Sequence, residues 1–172
     1  MALNICHDVI VDSERGRELA QHGSALFPIA CYAEDLSSYS VAWHWHEEFE
    51  YVLCMKGPLH VDVNKTRLTL QTGQGVFINS GALHAVEQAS EGTALLHSGV
   101  FHPRLTGGMD TIFWQKLIRP MTQPDAPAFF LLDESVPWQC WAACTTAGRK
   151  CPTNPSTTRT GCDIIFRWLC GC

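Results

Sequence analysis

The chain has 172 residues, enough for one ordinary domain and at most an appendage. Hydrophobic residues make up 46% and charged residues 17%, so the chain can fill a core and is not disordered by composition. A net charge of −5 argues against a nucleic-acid-binding surface, and no apolar run reaches the roughly 18 residues of a membrane span.

Residues 1–24 are predicted to form an N-terminal arm that contains one short helix. The first residues lack the charged start and apolar core of a secretory signal, so we expect a cytoplasmic location. The helix would be capped by Ser13 and would end at Gly23. Strand-like alternation follows at 27–33, and a polar loop at 34–40 leads into the most informative stretch of the chain.

Two histidines and a glutamate share one face of the next predicted strand, at residues 44–51. Side chains of a strand alternate with a period of two, so His44, His46 and Glu50 would point to one side. Trp45 and Tyr51 would point to the other. Imidazole and carboxylate groups that converge in this way suit a divalent metal such as Zn, Ni, Mn or Fe. A fourth donor is still needed, and a candidate lies about 35 residues later.

Short strands separated by turn residues continue up to residue 101. A spacing of about 8–12 residues between such strands is typical of an all-β barrel. The predicted barrel covers residues 25–106, with further strands at 59–63, 67–70, 75–78, 83–88 and 93–101.

Two segments of this barrel resemble the paired motifs of the cupin superfamily. In the first motif, G-x5-H-x-H-x3-E-x6-G, the matching residues are His44, His46, Glu50 and Gly57, with Ser38 in place of the leading glycine. In the second, G-x5-P-x-G-x2-H-x3-N, they are Gly73, Gly81 and His84, with Asn79 and Gln88 in the proline and asparagine positions. The resemblance implies a cupin-like antiparallel barrel, also called a double-stranded β-helix or jelly roll. It makes His44, His46, Glu50 and His84 candidates for metal binding and for lining the ligand cavity.

Residues 107–139 are predicted to form a helix and a connecting segment that pack on the barrel or on a dimer partner. Apolar residues recur at helical spacing from Met109 to Leu117, and Pro120 closes the helix. A last short strand is predicted at 129–132. The fold class is therefore all-β with a flanking helix.

The order of these elements resembles the N-terminal effector-binding domain of AraC-type transcription regulators. The resemblance covers about residues 25–139 and includes VFHPRL at 100–105, LIRPM at 117–121 and FLLDE at 130–134. It implies a barrel that senses a small-molecule effector, often a sugar, and helices that form a homodimer. In that family a C-terminal helix-turn-helix domain reads DNA. Nothing after residue 139 resembles that domain, so we expect no sequence-specific DNA binding.

Residues 140–172 form a cysteine-rich tail without a sustained period. Its spacings lack the paired C-x2-C ligands of a structural zinc site, and a disulfide framework is not expected in a cytosolic chain. Our hypothesis is a change of reading frame near Gln139, which would make the tail non-native or disordered. The cysteines of the tail are Cys140, Cys144, Cys151, Cys162, Cys170 and Cys172.

Two other functions fit the same motifs: a metal-dependent cupin enzyme, such as a dioxygenase or sugar isomerase, and a simple ligand-binding cupin. The sequence identifies no second acid–base residue for an enzyme, which favours the sensor. Among the remaining rings, His60 and His97 are weaker candidates for the lumen, His7, His22 and His102 are expected in solvent, and Trp43 and Trp45 are expected to pack in the core or at an interface.

Overall fold

The computed structural model of the protein describes residues 9–132. The cysteine-rich tail at 140–172 lies outside the described residues. So do the first part of the predicted arm, 1–8, and the end of the predicted connecting segment, 133–139. No helix within the described range is long and apolar enough to cross a membrane.

The described residues contain nine β-strands arranged in two antiparallel sheets. The strands are β1 (Ile29–Asp35), β2 (Val41–His44), β3 (Phe49–Lys56), β4 (Leu59–Val63), β5 (Thr66–Leu70), β6 (Gly75–Ile78), β7 (His84–Gln88), β8 (Leu95–Phe101) and β9 (Phe129–Leu132). The larger sheet has the order β1-β8-β3-β6-β9, and the smaller sheet has the order β2-β7-β4-β5. Strands that are neighbours in space, such as β1 and β8, are far apart in sequence, as expected for a jelly roll.

The fold is a cupin jelly roll, so the predicted fold class is confirmed. From residue 59 onward, the predicted strands agree with the observed ones to within two residues at each end. Among the described strands, hydrogen bonding does not continue from one sheet to the other. The sheets therefore face each other as two layers and do not close into the predicted barrel.

A hydrophobic core lies between the two sheets. Val52 and Cys54 of β3 point into it and meet Val61, Val86 and Leu96 from the facing and neighbouring strands. Burying a side chain of this kind stabilises a fold by roughly 1.5–3 kcal/mol. Polar side chains in the same layer cost free energy unless they are paired, so their presence requires an explanation.

A second core covers the outer face of the larger sheet. Phe49, Tyr51 and Leu53 alternate along β3 with the inward-facing residues and pack with Ile118. The covering elements are a 3₁₀-helix (Pro103–Thr106), a π-helix (Trp114–Ile118) and a short α-helix (Arg119–Met121). The predicted flanking helix is therefore present and packs on the jelly roll, although its helical residues run from 112 to 121.

Asn79 ties this outer layer to the larger sheet. Its side-chain amide donates to the carbonyl oxygens of Met121 and Pro127, at 2.6 and 3.0 Å. Its backbone N–H donates to the carbonyl oxygen of Ala128 at 2.8 Å. Asn79 stands at the proline position of the second cupin motif, and proline could make none of these three bonds. The departure from the motif therefore has a structural role.

The N-terminal segment does not form the short helix predicted at 13–23. Turns and isolated β-bridges take its place, and one bridge pairs Arg17 with Trp45. Gly16 and Gly23 have φ of 67° and 79°, a left-handed conformation that interrupts a helix. Backbone pairing with the jelly roll has therefore prevailed over a weak local helix pattern.

Candidate metal centre

The four predicted donors come from both sheets and from the crossing between them, which is the connection at residues 45–48 from β2 to β3. Residues 44–51 are not one strand, contrary to the prediction: β2 ends at His44, the chain crosses to the other sheet, and β3 begins at Phe49. Alternation along a single strand therefore does not unite these side chains. His44 and Glu50 meet because the inner faces of the two sheets face each other.

His84 is brought to His44 by strand pairing. The register of β2 with β7 sets the two residues opposite each other, and their ring centroids are 4.2 Å apart. Opposed residues of antiparallel strands have close Cβ atoms, so both rings project from the same face of the smaller sheet.

The second cupin motif holds the crossing that carries His46. The backbone N–H of Gly81 donates to the carbonyl oxygen of His46, and the Ser80 hydroxyl donates to that of Glu47, both at 2.8 Å. Gly81 has φ of 75°, which favours glycine. The turn of the second motif therefore positions a donor of the first.

The donor atoms of His44, His46, Glu50 and His84 all lie within 4.8 Å of one another. The Nε2 atoms of His46 and His84 are 3.2 and 3.0 Å from the same carboxylate oxygen, Glu50 Oε2. Two ligands at right angles on a metal with bonds of about 2.1 Å lie about 3 Å apart. The spacing and the chemistry of this donor set fit a shared divalent cation.

The other ring nitrogen of each histidine is already engaged. Nδ1 of His44 and Nδ1 of His84 lie 2.8 Å from the carbonyl oxygens of Ala42 and Ala82, and Nδ1 of His46 lies 3.2 Å from that of Glu48. A carbonyl only accepts, so each Nδ1 carries the proton and donates it. In the neutral ring this leaves the Nε2 lone pair for the centre, the tautomer that binds a metal through Nε2.

The contacts around Glu50 require a positive charge. A neutral Nε2 with Nδ1 protonated is an acceptor, and so is a carboxylate oxygen. Two such nitrogens at 3.0–3.2 Å from one oxygen would repel it unless protons or a cation lie between them. All four residues are at most 7% exposed, so solvent screens the repulsion poorly.

The direction of the pKa shifts follows from this crowding. Burial opposes ionisation of Glu50, yet hydrogen bonds with His46 and His84 hold the pKa of Glu50 well below its ordinary value. Burial disfavours the charged form of His84, but its hydrogen bond to Glu50 leaves the pKa of His84 raised. Burial and the neighbouring charge of His84 lower the pKa of His44 to about 4.

A second buried pair, which the sequence did not reveal, lies beside these donors. Glu18 Oε2 is 3.0 Å from His22 Nε2 and 3.9 Å from His44 Nε2. His22 Nδ1 is 2.8 Å from the Tyr32 hydroxyl. The prediction that His22 is solvated is wrong, because only 6% of His22 is exposed.

Trp45 holds the N-terminal segment that contains Glu18 and His22 against the jelly roll. The indole Nε1–H of Trp45 donates to the carbonyl oxygen of Arg15 at 2.8 Å, and the backbone N–H of Glu18 donates to that of Trp45 at 2.9 Å. The Arg17 guanidinium lies 5.8 Å from the indole ring centre. Trp45 thus packs against this segment. The four-residue spacing of Glu18 and His22 is the sequence signal that could have paired them.

The remaining rings lie elsewhere. His60 Nδ1 is 3.2 Å from the Thr69 hydroxyl on the neighbouring strand, outside the cavity. His97 stands between Leu96 and Ser98, which both face inward, so strand alternation turns His97 away. Trp43 is 45% exposed and is therefore not a core residue.

A cavity of about 40 Å³ opens next to the donors, between the two sheets. His44, Glu50 and His84 line it, together with Glu18 and Glu34. His46 contacts Glu50 without lining the cavity. The interior is therefore not packed solid, and the three lining donors face space that a small guest can enter.

The fold and the paired motifs define the class of protein. Residues 37–99 match the family described as Cupin domain, so the chain contains a cupin domain. Over 76 residues the chain is 36% identical to an uncharacterized HTH-type transcriptional regulator, YdeC of Bacillus subtilis (strain 168). That match covers 42% of this chain and 26% of the relative, so it spans about a quarter of the relative's length.

Solved structures of similar shape include two from other bacteria. A Cupin 2 conserved barrel domain protein from Salinispora arenicola is 17% identical, over 61% of this chain and 93% of that chain, with a TM-score of 0.42. An HTH_3 family transcriptional regulator from Vibrio cholerae is 20% identical, over 47% of each chain, with a TM-score of 0.41.

Proposed function

We propose that this chain is the sensing part of an AraC-type transcription regulator, in which a divalent metal and a small effector bind together between the two sheets. Support for the regulator comes from its 36% identity over 76 residues to an HTH-type regulator. One observation supports the metal site most directly. The Nε2 atoms of His46 and His84 lie 3.2 and 3.0 Å from the same buried oxygen of Glu50, and in both rings Nδ1 carries the proton.

His44, His46, Glu50 and His84 would hold the metal. Three imidazoles and one carboxylate suit Zn, Fe, Mn or Ni better than Mg or Ca, which prefer oxygen ligands. When bound, such an ion acts as a Lewis acid that attracts an anionic or hydroxyl group of a ligand. The backbone carbonyls orient the rings, and Val52, Val86 and Val100 line the space beside them.

The proposed effector is smaller than the sugar suggested by the family resemblance. A cavity of about 40 Å³ has room for roughly three water molecules, whereas pockets for drug-sized ligands start at about 300 Å³. A ligand of about half a dozen non-hydrogen atoms fits that space. A sugar would require the sheets or the N-terminal segment to move apart.

Metal content tests the proposal directly. The chain is stripped with a chelator and offered Zn, Ni, Mn or Fe(II) separately, and the bound metal is then counted by mass spectrometry. One ion per chain is expected for wild type and for His60→Ala, whose ring lies outside the cavity, but not for His84→Ala. Wild type without stoichiometric metal, or equal loading of all three proteins, would contradict it.

A metal-dependent enzyme is the second candidate, and the Glu18–His22 pair is the observation that favours it. The pair is buried and its carboxylate lies 3.9 Å from His44 Nε2, so acid–base groups do face the cavity. Turnover of a bound small molecule by the metal-loaded chain would favour the enzyme. Binding without turnover would favour the sensor.

Effector-dependent assembly distinguishes a sensor from a simple binding module. AraC-type regulation involves a homodimer whose geometry changes with the ligand, and such a change requires different affinities in the two arrangements. We expect sedimentation to show a dimer. A monomer at all concentrations, with or without ligand, would favour the binding module.

A further inference from the structure

The cavity has a second polar end, formed by Glu34 on β1. Strand pairing shows how far it lies from the proposed metal centre. On the larger sheet, Glu50 pairs with Val100 of β8, whereas Glu34 pairs with Leu96 of the same strand. Those two positions are four residues apart along β8, an offset of about 13 Å at 3.3 Å per residue, and β1 and β3 flank β8 on opposite sides. Both carboxylates nevertheless line the same cavity, which is therefore elongated along the strands.

Glu34 differs from the other buried carboxylates in its partners. Glu50 contacts two imidazoles and Glu18 contacts one, within 3.2 Å. Glu34 is 9% exposed and accepts a 3.2 Å hydrogen bond from the Tyr39 hydroxyl. No Lys, Arg or His among the described residues is within 4 Å of it. No cationic side chain in this part of the chain therefore balances a negative charge on Glu34.

The space between the two ends is mostly apolar. Val52, Val86 and Leu96 form its walls, and Ser98 and Tyr32, which pair across β8 and β1, are the polar residues at mid-length. A ligand that follows this shape has a metal-binding group at one end, a short apolar middle and a hydrogen-bond donor at the other end.

The electrostatics of Glu34 agree with a missing cation. Burial raises the pKa of Glu34 to about 7, and the bond from Tyr39 offsets only part of this effect. Glu50 and Glu18 add repulsion in the same direction. A protonated amine would remove the penalty, because an ion pair with a buried carboxylate favours its charged form.

We propose that Glu34 determines the specificity of the cavity and selects short ligands that carry a protonated amine at the end remote from their metal-binding carboxylate. The inference rests on the proposed function, because the other end of the ligand would bind the metal held by His44, Glu50 and their neighbours. It goes further in assigning the ligand to the class of short ω-amino acids.

A matched pair of probes isolates the amine. 4-Aminobutanoate and butanoate share the carboxylate and the chain, and only the first carries the ammonium group. The full chain is loaded with Co(II), whose absorption reports on ligands entering the metal centre, and each probe is titrated calorimetrically. Wild type is expected to bind 4-aminobutanoate at least about tenfold more tightly than butanoate, the size of effect typical of a hydrogen bond between charged groups.

Variants then assign the preference to Glu34. In Glu34→Gln the ratio of the two affinities should fall to about one, while the Co(II) spectrum and the response to butanoate stay unchanged. Glu91→Gln, which removes an exposed carboxylate from a loop, should keep the wild-type ratio. Circular dichroism and thermal melting show whether each variant is folded, and Glu34→Asp, with a shorter reach, should give an intermediate ratio.

The outcomes separate the two proposals. A butanoate-induced change in the Co(II) spectrum without an amine preference would overturn the role of Glu34 and leave the metal centre intact. Absence of Co(II) binding would overturn the proposed metal centre. An amine preference that survives in Glu34→Gln, or no binding of either probe to the loaded chain, would also overturn the specificity proposed here.

Discussion

Two buried groups of carboxylate and imidazole lie side by side in this protein, and they differ in how their charges are balanced. Glu18 and His22 form a pair that satisfies itself, since His22 bonds the carboxylate through Nε2 and the Tyr32 hydroxyl through Nδ1. Around Glu50, three imidazoles converge on one carboxylate, and each already uses Nδ1 on a backbone carbonyl. Residue types and burial are alike in the two groups.

The comparison of these two groups shows that a metal site is recognised by the direction in which the lone pairs of its donor atoms point. A count of histidines and glutamates would rank both groups as candidates. Only around Glu50 do two Nε2 atoms, on rings whose Nδ1–H already donates to a carbonyl, face one carboxylate oxygen, an arrangement that a bound proton or a cation relieves. The Glu18–His22 pair needs no ion, and we expect it to act on what enters the cavity.

The largest expected effect contrasts one histidine from each group. His84→Ala removes a proposed ligand and should weaken Zn(II) or Co(II) binding by at least about 100-fold, because loss of even an outer partner costs 10–100-fold. His22→Ala should weaken binding by no more than about tenfold, since its ring packs edge-on against His46, with 5.6 Å between the ring centroids, but supplies no donor atom to the centre. Competition titrations against a chelator measure both.

Equal losses in the two histidine variants would break the contrast between the groups. Equal losses of metal affinity would mean that Glu18 and His22 belong to the metal centre. His60→Ala serves as the reference, since it alters a histidine on the outside of the same fold.

Glu34 adds a third case, a buried carboxylate without a cationic partner. The pKa of Glu34 is about 7 in the folded protein, above its ordinary value of 4.5. Folding therefore favours the protonated form, and the contribution of Glu34 to stability is lost as pH rises from about 4.5 to 7. Glu34→Gln should consequently be more stable than wild type by about 2–3 kcal/mol at pH 8, with a much smaller difference at pH 4.

Urea unfolding of the metal-free proteins at the two pH values checks the effect of Glu34. Tyr39, Glu50 and Glu18 are the groups that act on this carboxylate, so they are left unchanged. A Glu34→Gln gain that is independent of pH would show that ionisation of Glu34 does not cause it, and a loss of stability at pH 8 would show that the carboxylate is paired.

A smaller effect is expected where the second motif supports the first. Ser80→Ala removes the hydrogen bond to the carbonyl oxygen of Glu47 and should cost about 1 kcal/mol of stability. The same change loosens the crossing that carries His46, so metal affinity should also fall by a few fold. Ser90→Ala, in an exposed turn, is the matched control and should have neither effect in unfolding and metal titrations.

The smallest effect concerns the segment that carries Glu18. Trp45→Phe keeps the aromatic ring but removes the bond from the indole N–H to Arg15, at a cost of about 0.5–1 kcal/mol. Amide hydrogen exchange should accelerate in residues 9–24, while metal affinity stays within about twofold of wild type. Slower exchange would contradict the anchoring role of Trp45, and a large loss of metal would indicate that the two groups act as one.

Much of the fold could be predicted because its signals are local. Alternating apolar residues bounded by turns mark β4 to β8 and β9, and the spacing of His44, His46, Glu50 and His84 identified the cupin motifs. The failures are equally informative. The residues at 13–23 are compatible with a helix. Their backbone instead forms a bridge and a hydrogen bond with Trp45, about 30 positions away in the sequence.

The sequence alone determined which four side chains could serve as donors and which fold class would hold them, because both depend on spacing along the chain. Only the tertiary structure decided that His44 and Glu50 belong to opposite sheets and that Glu18, His22 and Glu34 share their cavity. Those facts depend on pairings between distant strands and on the free energy of burial. Neither quantity is encoded in the spacing of neighbouring residues.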